Sequence, residues 1–67
     1  MTRAETMALL ISKPYTKVKH RYFTNGEFAY IDDKGDFRDE EGCFLIWDEF
    51  WTIRQGPIWE TDWTVVE

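Results

Sequence analysis

The chain has 67 residues, of which 18% are aromatic, and a formal charge of −5 at pH 7. A chain of this length folds as one domain with a small core, and it usually needs disulfides, a bound metal or partner chains for stability. Its one cysteine, Cys43, excludes an internal disulfide, which favours a reducing cytoplasm over secretion. The N-terminal MTRAETMALLI contains an acidic residue and only a short apolar run, so we expect neither a signal peptide nor a membrane span.

The charge is divided unevenly along the chain. Residues 1–23 carry five basic side chains and one acidic, a net +4, whereas residues 24–67 carry three basic and twelve acidic, a net −9. A net acidic chain is repelled by duplex nucleic acid, so we expect no binding of that kind, although a small anion can still lie against the basic N-terminal part. The chain has more aromatic rings than so small a core can hold, which indicates that some of them line a ligand pocket or an interface of a homo-oligomer.

The first predicted element is an amphipathic helix of about three turns. Thr2 and Glu5 have the spacing of a capping box, which predicts that the helix starts at residue 3. Pro14 ends it, because proline cannot continue a helix. The apolar residues at spacings of three and four, which predict the packed face, are Ala4, Met7, Leu10 and Ile11.

From residue 17 the hydrophobic period changes to two, which predicts a strand over 17–23. One side of this strand would carry Val18, His20 and Tyr22, and the other Lys17, Lys19, Arg21 and Phe23. Asn25-Gly26 predicts a hairpin turn, with a return strand over 28–31. A turn at 33–36, a short strand around 37–38 and another turn at 39–42 follow.

The segment 46–54 carries two competing apolar stripes, and we favour a short helix that ends at Gly56 and Pro57. The closing IWETDWTVVE alternates, which predicts a final strand with Trp59, Thr61, Trp63 and Val65 on one face. We therefore expect a single α+β domain over 1–67. Its N-terminal helix packs on a small antiparallel sheet, made of a meander and the C-terminal strand, with a second short helix.

No pattern in the chain indicates catalysis or a cofactor. The acidic run 32–41 combines carboxylates with a glycine as a calcium loop does, but Lys34 occupies the position before Gly35, so we expect two turns and no metal. His20 and Cys43 lie in no recognised nucleophile or zinc motif. Glycine-rich phosphate loops and nucleophile elbows are absent as well, and we expect a protein that is not an enzyme.

Two binding hypotheses remain. In the first, Lys19 and Arg21 pair with the phosphate of a small anionic ligand while Phe23 or Trp63 stacks on its base. In the second, an acidic and aromatic surface binds a host protein as an inhibitor, and its residues are Trp51, Trp59, Asp48 and Glu49. In a third interpretation the lysines of 17–23 bind no ligand and instead protect an edge strand from aggregation.

Three stretches, the helix 4–11, the strand KVKHRYF over 17–23 and the closing DWTVVE over 62–67, are similar to segments of one known family. Together they resemble the small phage and prophage proteins of the Thoeris anti-defence sponge family, over roughly half of the chain. Phe23 stands where the family has Trp, and acidic turns at 32–42 stand where it has a longer Gly- and Pro-containing segment. The resemblance implies a homo-oligomeric α+β protein of the host cytoplasm that sequesters a nucleotide signal and leaves it chemically unchanged.

Overall fold

The computed structural model describes all of residues 1–67. Its elements are α1 (Arg3–Ser12), β1 (Val18–His20), β2 (Ala29–Ile31), β3 (Phe37–Asp39), α2 (Trp47–Thr52), a 3₁₀ turn (Pro57–Trp59) and β4 (Trp63–Val65). The strands form one antiparallel sheet in the order β3-β2-β1-β4. The predicted α+β architecture is confirmed: β1, β2 and β3 form a meander, and the C-terminal strand pairs with β1. No helix has the length and apolarity that crossing a membrane requires.

The capping box at the start of α1 is present. The Thr2 hydroxyl accepts from the Glu5 amide at 3.1 Å, and the Thr2 amide donates to the Glu5 carboxylate at 2.8 Å. The bond from the Thr2 amide is the main cause that lowers the pKa of Glu5, since it favours the ionised carboxylate. Both bonds of the capping box satisfy amide groups that the helix itself leaves without partners.

The packed face of α1 differs from the prediction. Thr6 and Leu10 are buried, whereas Ala4 is exposed and Ile11 is 68% exposed. Thr6 tolerates burial because its hydroxyl donates to the carbonyl of Thr2 at 2.8 Å. A hydroxyl whose hydrogen bond is made within the helix can therefore lie on the packed face. The hydropathy pattern alone had predicted Ile11 on that face.

The core lies between the two helices and one face of the sheet. Its buried apolar residues are Leu10, Val18, Ala29, Phe37, Phe50, Trp51 and Trp63. The strand register puts Val18 opposite Ala29 and His20 opposite Trp63, so these four side chains share the covered face. Aromatic rings make up most of the volume, which explains how so short a chain assembles a core.

Strand β1 is shorter than predicted, and it is central. It ends at His20, whose backbone carbonyl accepts from the amide of Phe23 at 3.0 Å, so the chain turns at that point. Gly26 has a φ of 87° in the next turn, where glycine is favoured, but the turn lies inside the longer connection 21–28. Because β1 lies between β2 and β4, its one lysine, Lys19, protects no sheet edge.

The final strand is also shorter than predicted. Only Trp63–Val65 forms β4, and Pro57–Trp59 is a 3₁₀ turn. The Trp63 indole N–H donates to the carbonyl of Trp59 at 2.7 Å, and Asp62 has a φ of 69°. A residue with left-handed backbone interrupts an extended strand. The alternation over 58–67 therefore corresponds to a strand only in its last part.

Candidate functional site

A depression of about 300 Å³ lies where β1 ends and β4 begins, and we call it the basic depression. The residues that line it include Lys19, Arg21, Thr24, Asn25 and Asp62. Lys19 is the middle residue of β1 and is exposed on the uncovered face of the sheet, opposite Thr64. Arg21 follows β1, and its amide donates to the carbonyl of Asp62 at 3.2 Å. The sheet therefore brings the two predicted phosphate-binding residues to one place.

The charges of the basic depression are not neutralised by ion pairs. The salt bridges of the molecule join Arg38 to Asp32 and to Asp36, so neither Lys19 nor Arg21 belongs to one. Asp62 contributes one carboxylate to the same lining. Two cations and one anion leave this site with a net positive charge, which attracts a small anion.

Trp63 is not a ligand-binding residue in this structure. Its side chain is 0% exposed, and its ring lies 5.0 Å from that of Trp51 and 5.6 Å from that of Phe23. A base cannot stack on a ring that the core covers. Trp63 was predicted to stack on a base because any aromatic ring can do so, but β4 places it on the covered face of the sheet.

Phe23 lies between the covered face of the sheet and the uncovered face that carries Lys19. It is half-buried and lines the basic depression, yet its ring packs on the core side against Trp63 and Phe50. The prediction that Phe23 and Lys19 share one face of a strand is wrong, because β1 ends before Phe23. Phe23 is the one hydrophobic residue that lines the basic depression, so it is the aromatic side chain that remains for a ligand there.

His20 is a structural residue. It is 2% exposed, its Nδ1 accepts from the Tyr22 amide at 3.1 Å, and its Nε2 lies 2.8 Å from the Thr61 carbonyl. An amide can only donate, so the imidazole is neutral with its proton on Nε2. Both nitrogens are thus engaged, and neither is free for a nucleophile or a metal. Cys43 is exposed, and no three His, Cys, Asp or Glu side chains are grouped to hold a metal ion.

The residues predicted to bind a host protein do not form one surface. Trp51 is 3% exposed and belongs to the core, and Trp59 is half-buried with its ring 4.4 Å from that of His20. Asp48 and Glu49 are exposed in the first turn of α2. Trp51 cannot anchor a partner without unpacking the core, so this hypothesis loses its central residue.

A second depression, which we call the acidic groove, has a volume of about 440 Å³. Its apolar lining includes Phe44, Ile46 and Ile53, which are 69%, 64% and 71% exposed. Its charged lining residues are Glu27, Asp39, Glu40, Glu49 and Arg54. Sequence reasoning missed this groove, because it placed Ile46 and Ile53 on one of two competing apolar stripes of the predicted helix. Glu49 is its one residue that had been predicted to bind a protein.

Arg54 is the basic residue of the acidic groove. Its guanidinium lies 4.0 Å from the ring of Phe50 and donates to the Phe50 carbonyl at 3.1 Å, while its Nε–H is buried without a partner. Burial lowers the pKa of Arg54, and the nearby Glu27 carboxylate opposes that shift. Arg54 thus offsets one of the four negative charges that line the groove, which stays net acidic.

The acidic run 32–41 forms turns, as predicted. Asp32 is buried, and its carboxylate accepts from the amides of Lys34 and Asp36 at 2.9 Å each and from Arg38 at 2.8 Å. These bonds, the one from Arg38 most of all, lower the pKa of Asp32. A carboxylate that is filled by internal donors has little capacity left for a cation.

No family model, no curated protein and no solved structure matches this chain.

Proposed function

We propose that this chain is a non-catalytic binding protein that holds a small phosphate-bearing ligand at the basic depression. The observation that carries the proposal is that Lys19 and Arg21 line one depression and neither takes part in a salt bridge. Two neighbouring cations without a paired carboxylate repel each other. An anion that binds between them relieves this repulsion.

The two side chains suit different parts of a phosphate. A guanidinium can donate two parallel hydrogen bonds to a pair of phosphate oxygens, whereas an ammonium acts as a compact charge. The turn 24–26 adds an exposed hydroxyl and an exposed amide side chain from Thr24 and Asn25. Phe23 adds a partly exposed ring, which favours a nucleotide over a bare inorganic anion.

The openness of the site supports assembly into a homo-oligomer. The basic depression lies on the surface of a small domain, and its volume of about 300 Å³ is at the lower end of the range for ligand pockets, about 300–1,000 Å³. A second copy placed over it would enclose the ligand and raise the affinity without any new chemistry. Sequestration of a nucleotide signal by a phage or prophage protein, in the cytoplasm of its host, is supported by the resemblance of residues 4–11, 17–23 and 62–67 to the anti-defence sponges.

The proposal is tested first by native mass spectrometry of the protein purified from its host cells. The expected spectrum contains an oligomer that carries a mass of nucleotide size. A ligand-free monomer contradicts both parts of the proposal. Calorimetric titration with AMP, ADP and cyclic AMP then measures which phosphate arrangement the site prefers.

Variants locate the ligand. Arg21→Ala and Lys19→Ala are each expected to weaken binding about tenfold or more, because a hydrogen bond to a charged group contributes about 1.5–3 kcal/mol. Both side chains are exposed, so the thermal midpoint should hardly change. Lys34→Ala removes a matched charge from an exposed turn outside the depression and should leave binding intact. An equal loss in all three variants would mean that the effect is one of net charge.

A further inference from the structure

We propose that the acidic groove is a docking site for a partner protein segment that presents an apolar side chain between lysine or arginine residues. This surface adjoins the proposed phosphate site, since Phe23 lines both, and it has the opposite charge. The inference rests on three properties of the groove: the backbone forces apolar side chains outwards, the rim is acidic, and that rim disfavours a symmetric pairing of two copies.

The apolar exposure follows from the backbone of residues 44–46. The Leu45 amide donates to the Phe37 carbonyl at 2.8 Å, and Leu45 packs against the core. In an extended segment alternate side chains point in opposite directions, so Phe44 and Ile46 must face solvent. Ile53, at the end of α2, lines the same groove. Single exposed apolar residues are common, but three that meet in one depression indicate a binding surface.

The charge of the groove's rim indicates the charge that the partner must carry. Four acidic side chains and one basic side chain line it, and no salt bridge involves any of the four acids. Asp39 and Glu27 are held by backbone amides, since Asp39 accepts from Cys43 at 3.0 Å and Glu27 accepts from Thr24 at 3.0 Å. Glu40 and Glu49 are exposed and lack protein partners for their carboxylates. A rim of this kind attracts lysine and arginine and disfavours acidic segments.

The same rim argues against a second copy of this chain as the occupant. In a two-fold interface each surface meets its own duplicate, so a dimer through the groove would bring Glu40 and Glu49 towards their counterparts. Like charges in that arrangement are repulsive. A basic segment of another protein meets no such penalty, and a groove of about 440 Å³ has room for its apolar side chain.

A selection from a random twelve-residue peptide display library on the intact protein tests the proposal. The enriched peptides are expected to contain an apolar side chain with lysine or arginine on both sides. One such peptide, synthesised and titrated, should bind at least tenfold more weakly to Ile53→Asp and to Glu49→Lys than to the wild type. Its affinity should also fall with added salt, because charge attraction is screened.

Matched controls keep the result specific. Ile58→Asp and Glu60→Lys make the same changes at exposed residues outside the groove, and both should bind the peptide as the wild type does. Near-ultraviolet circular dichroism checks that each variant is folded. The proposal is overturned if no peptide is enriched, if enriched peptides are acidic, or if the controls lose as much affinity. Sedimentation that shows a dimer, lost in Ile53→Asp, would assign the groove to a second copy instead.

Discussion

The Nε atom of Arg38 lies 2.8 Å from the Oδ2 atom of Asp32, and the other oxygen of this carboxylate accepts from two turn amides. Asp32 therefore joins the turn that follows β2 to a residue of β3. The guanidinium of Arg38 also lies 4.3 Å from the ring of Phe44 and donates to the carbonyl of Gly42 at 2.7 Å. The position of the 44–46 segment, and with it one wall of the acidic groove, thus depends on a chain of contacts that starts at Asp32.

Stability should depend on the ionisation of Asp32. The pKa of this carboxyl is lower in the folded protein than its ordinary value, so its contribution to stability is complete above about pH 4 and is lost as the pH falls through the folded pKa. Asp32→Asn should therefore lower the thermal midpoint at neutral pH, and its difference from the wild type should shrink in acid. Thermal denaturation between about pH 7 and pH 2 measures this. A difference that stays constant with pH would show that the charge is immaterial.

Trp63 should be essential for folding. Replacing a buried Trp by Ala costs about 3–5 kcal/mol, and a domain of 67 residues has a total stability of about 3–10 kcal/mol. We expect Trp63→Ala to be largely unfolded by near-ultraviolet circular dichroism, whereas Tyr22→Ala, which removes a ring that is 59% exposed, keeps the wild-type midpoint. A folded Trp63→Ala that has lost only ligand binding would restore Trp63 to the binding site.

Local signals in the sequence predicted much of this fold. The capping box of Thr2 and Glu5, the change of period at residue 17 and the turn at Gly26 each depend on groups within a few residues of each other. Such signals are complete in the sequence, since no distant contact is needed to form them. They were enough to place α1, the meander, the second helix and the last strand in the correct order.

The failures at the candidate sites share a physical origin, which is contact between distant residues. His20 bonds to Thr61, and the chain turns directly after it, so periodicity extended β1 too far. The surplus of aromatic rings was assigned to a surface, but Trp51 and Trp63 pack on each other inside. The acidic groove needs residues 44–46 beside Ile53, and only the fold brings them together.

Removing the carboxylate of Asp62 should strengthen anion binding at the basic depression. Asp62→Asn keeps a residue that tolerates the left-handed conformation observed there and removes the one acidic side chain that lines the site. We expect affinity for a nucleotide phosphate to rise by roughly 1.4- to 5-fold, the range that corresponds to one exposed charge interaction. Calorimetric titration at low salt measures it.

The control for Asp62→Asn is Asp48→Asn, which removes an exposed carboxylate from α2, outside the depression. It should leave nucleotide affinity unchanged. If both variants gain equally, the effect comes from total charge, and the depression is not the binding site. If Asp62→Asn loses affinity, the carboxylate takes part in binding, for example by accepting from the ligand.

Arg3 should contribute to stability through α2 more than through its own helix. Its Nε donates to the Arg54 carbonyl at 3.0 Å and its Nη2 to the Trp51 carbonyl at 2.9 Å. It therefore satisfies carbonyls at the C-terminal end of α2, where a cation is favoured. Arg3→Met keeps most of the side-chain volume and removes these bonds, and we expect it to lower the free energy of unfolding by about 1.5–3 kcal/mol.

Urea denaturation measures the loss in Arg3→Met, with the m-value as the test that the folded state is otherwise unchanged. Arg21→Met is the matched control, because Arg21 is exposed and makes no side-chain hydrogen bond within the protein. Arg3→Lys separates charge from geometry: one ammonium cannot reproduce the two directed donors of the guanidinium. If Arg3→Lys is as stable as the wild type, the cation alone matters; if it is as unstable as Arg3→Met, the two carbonyl bonds hold α2 against α1.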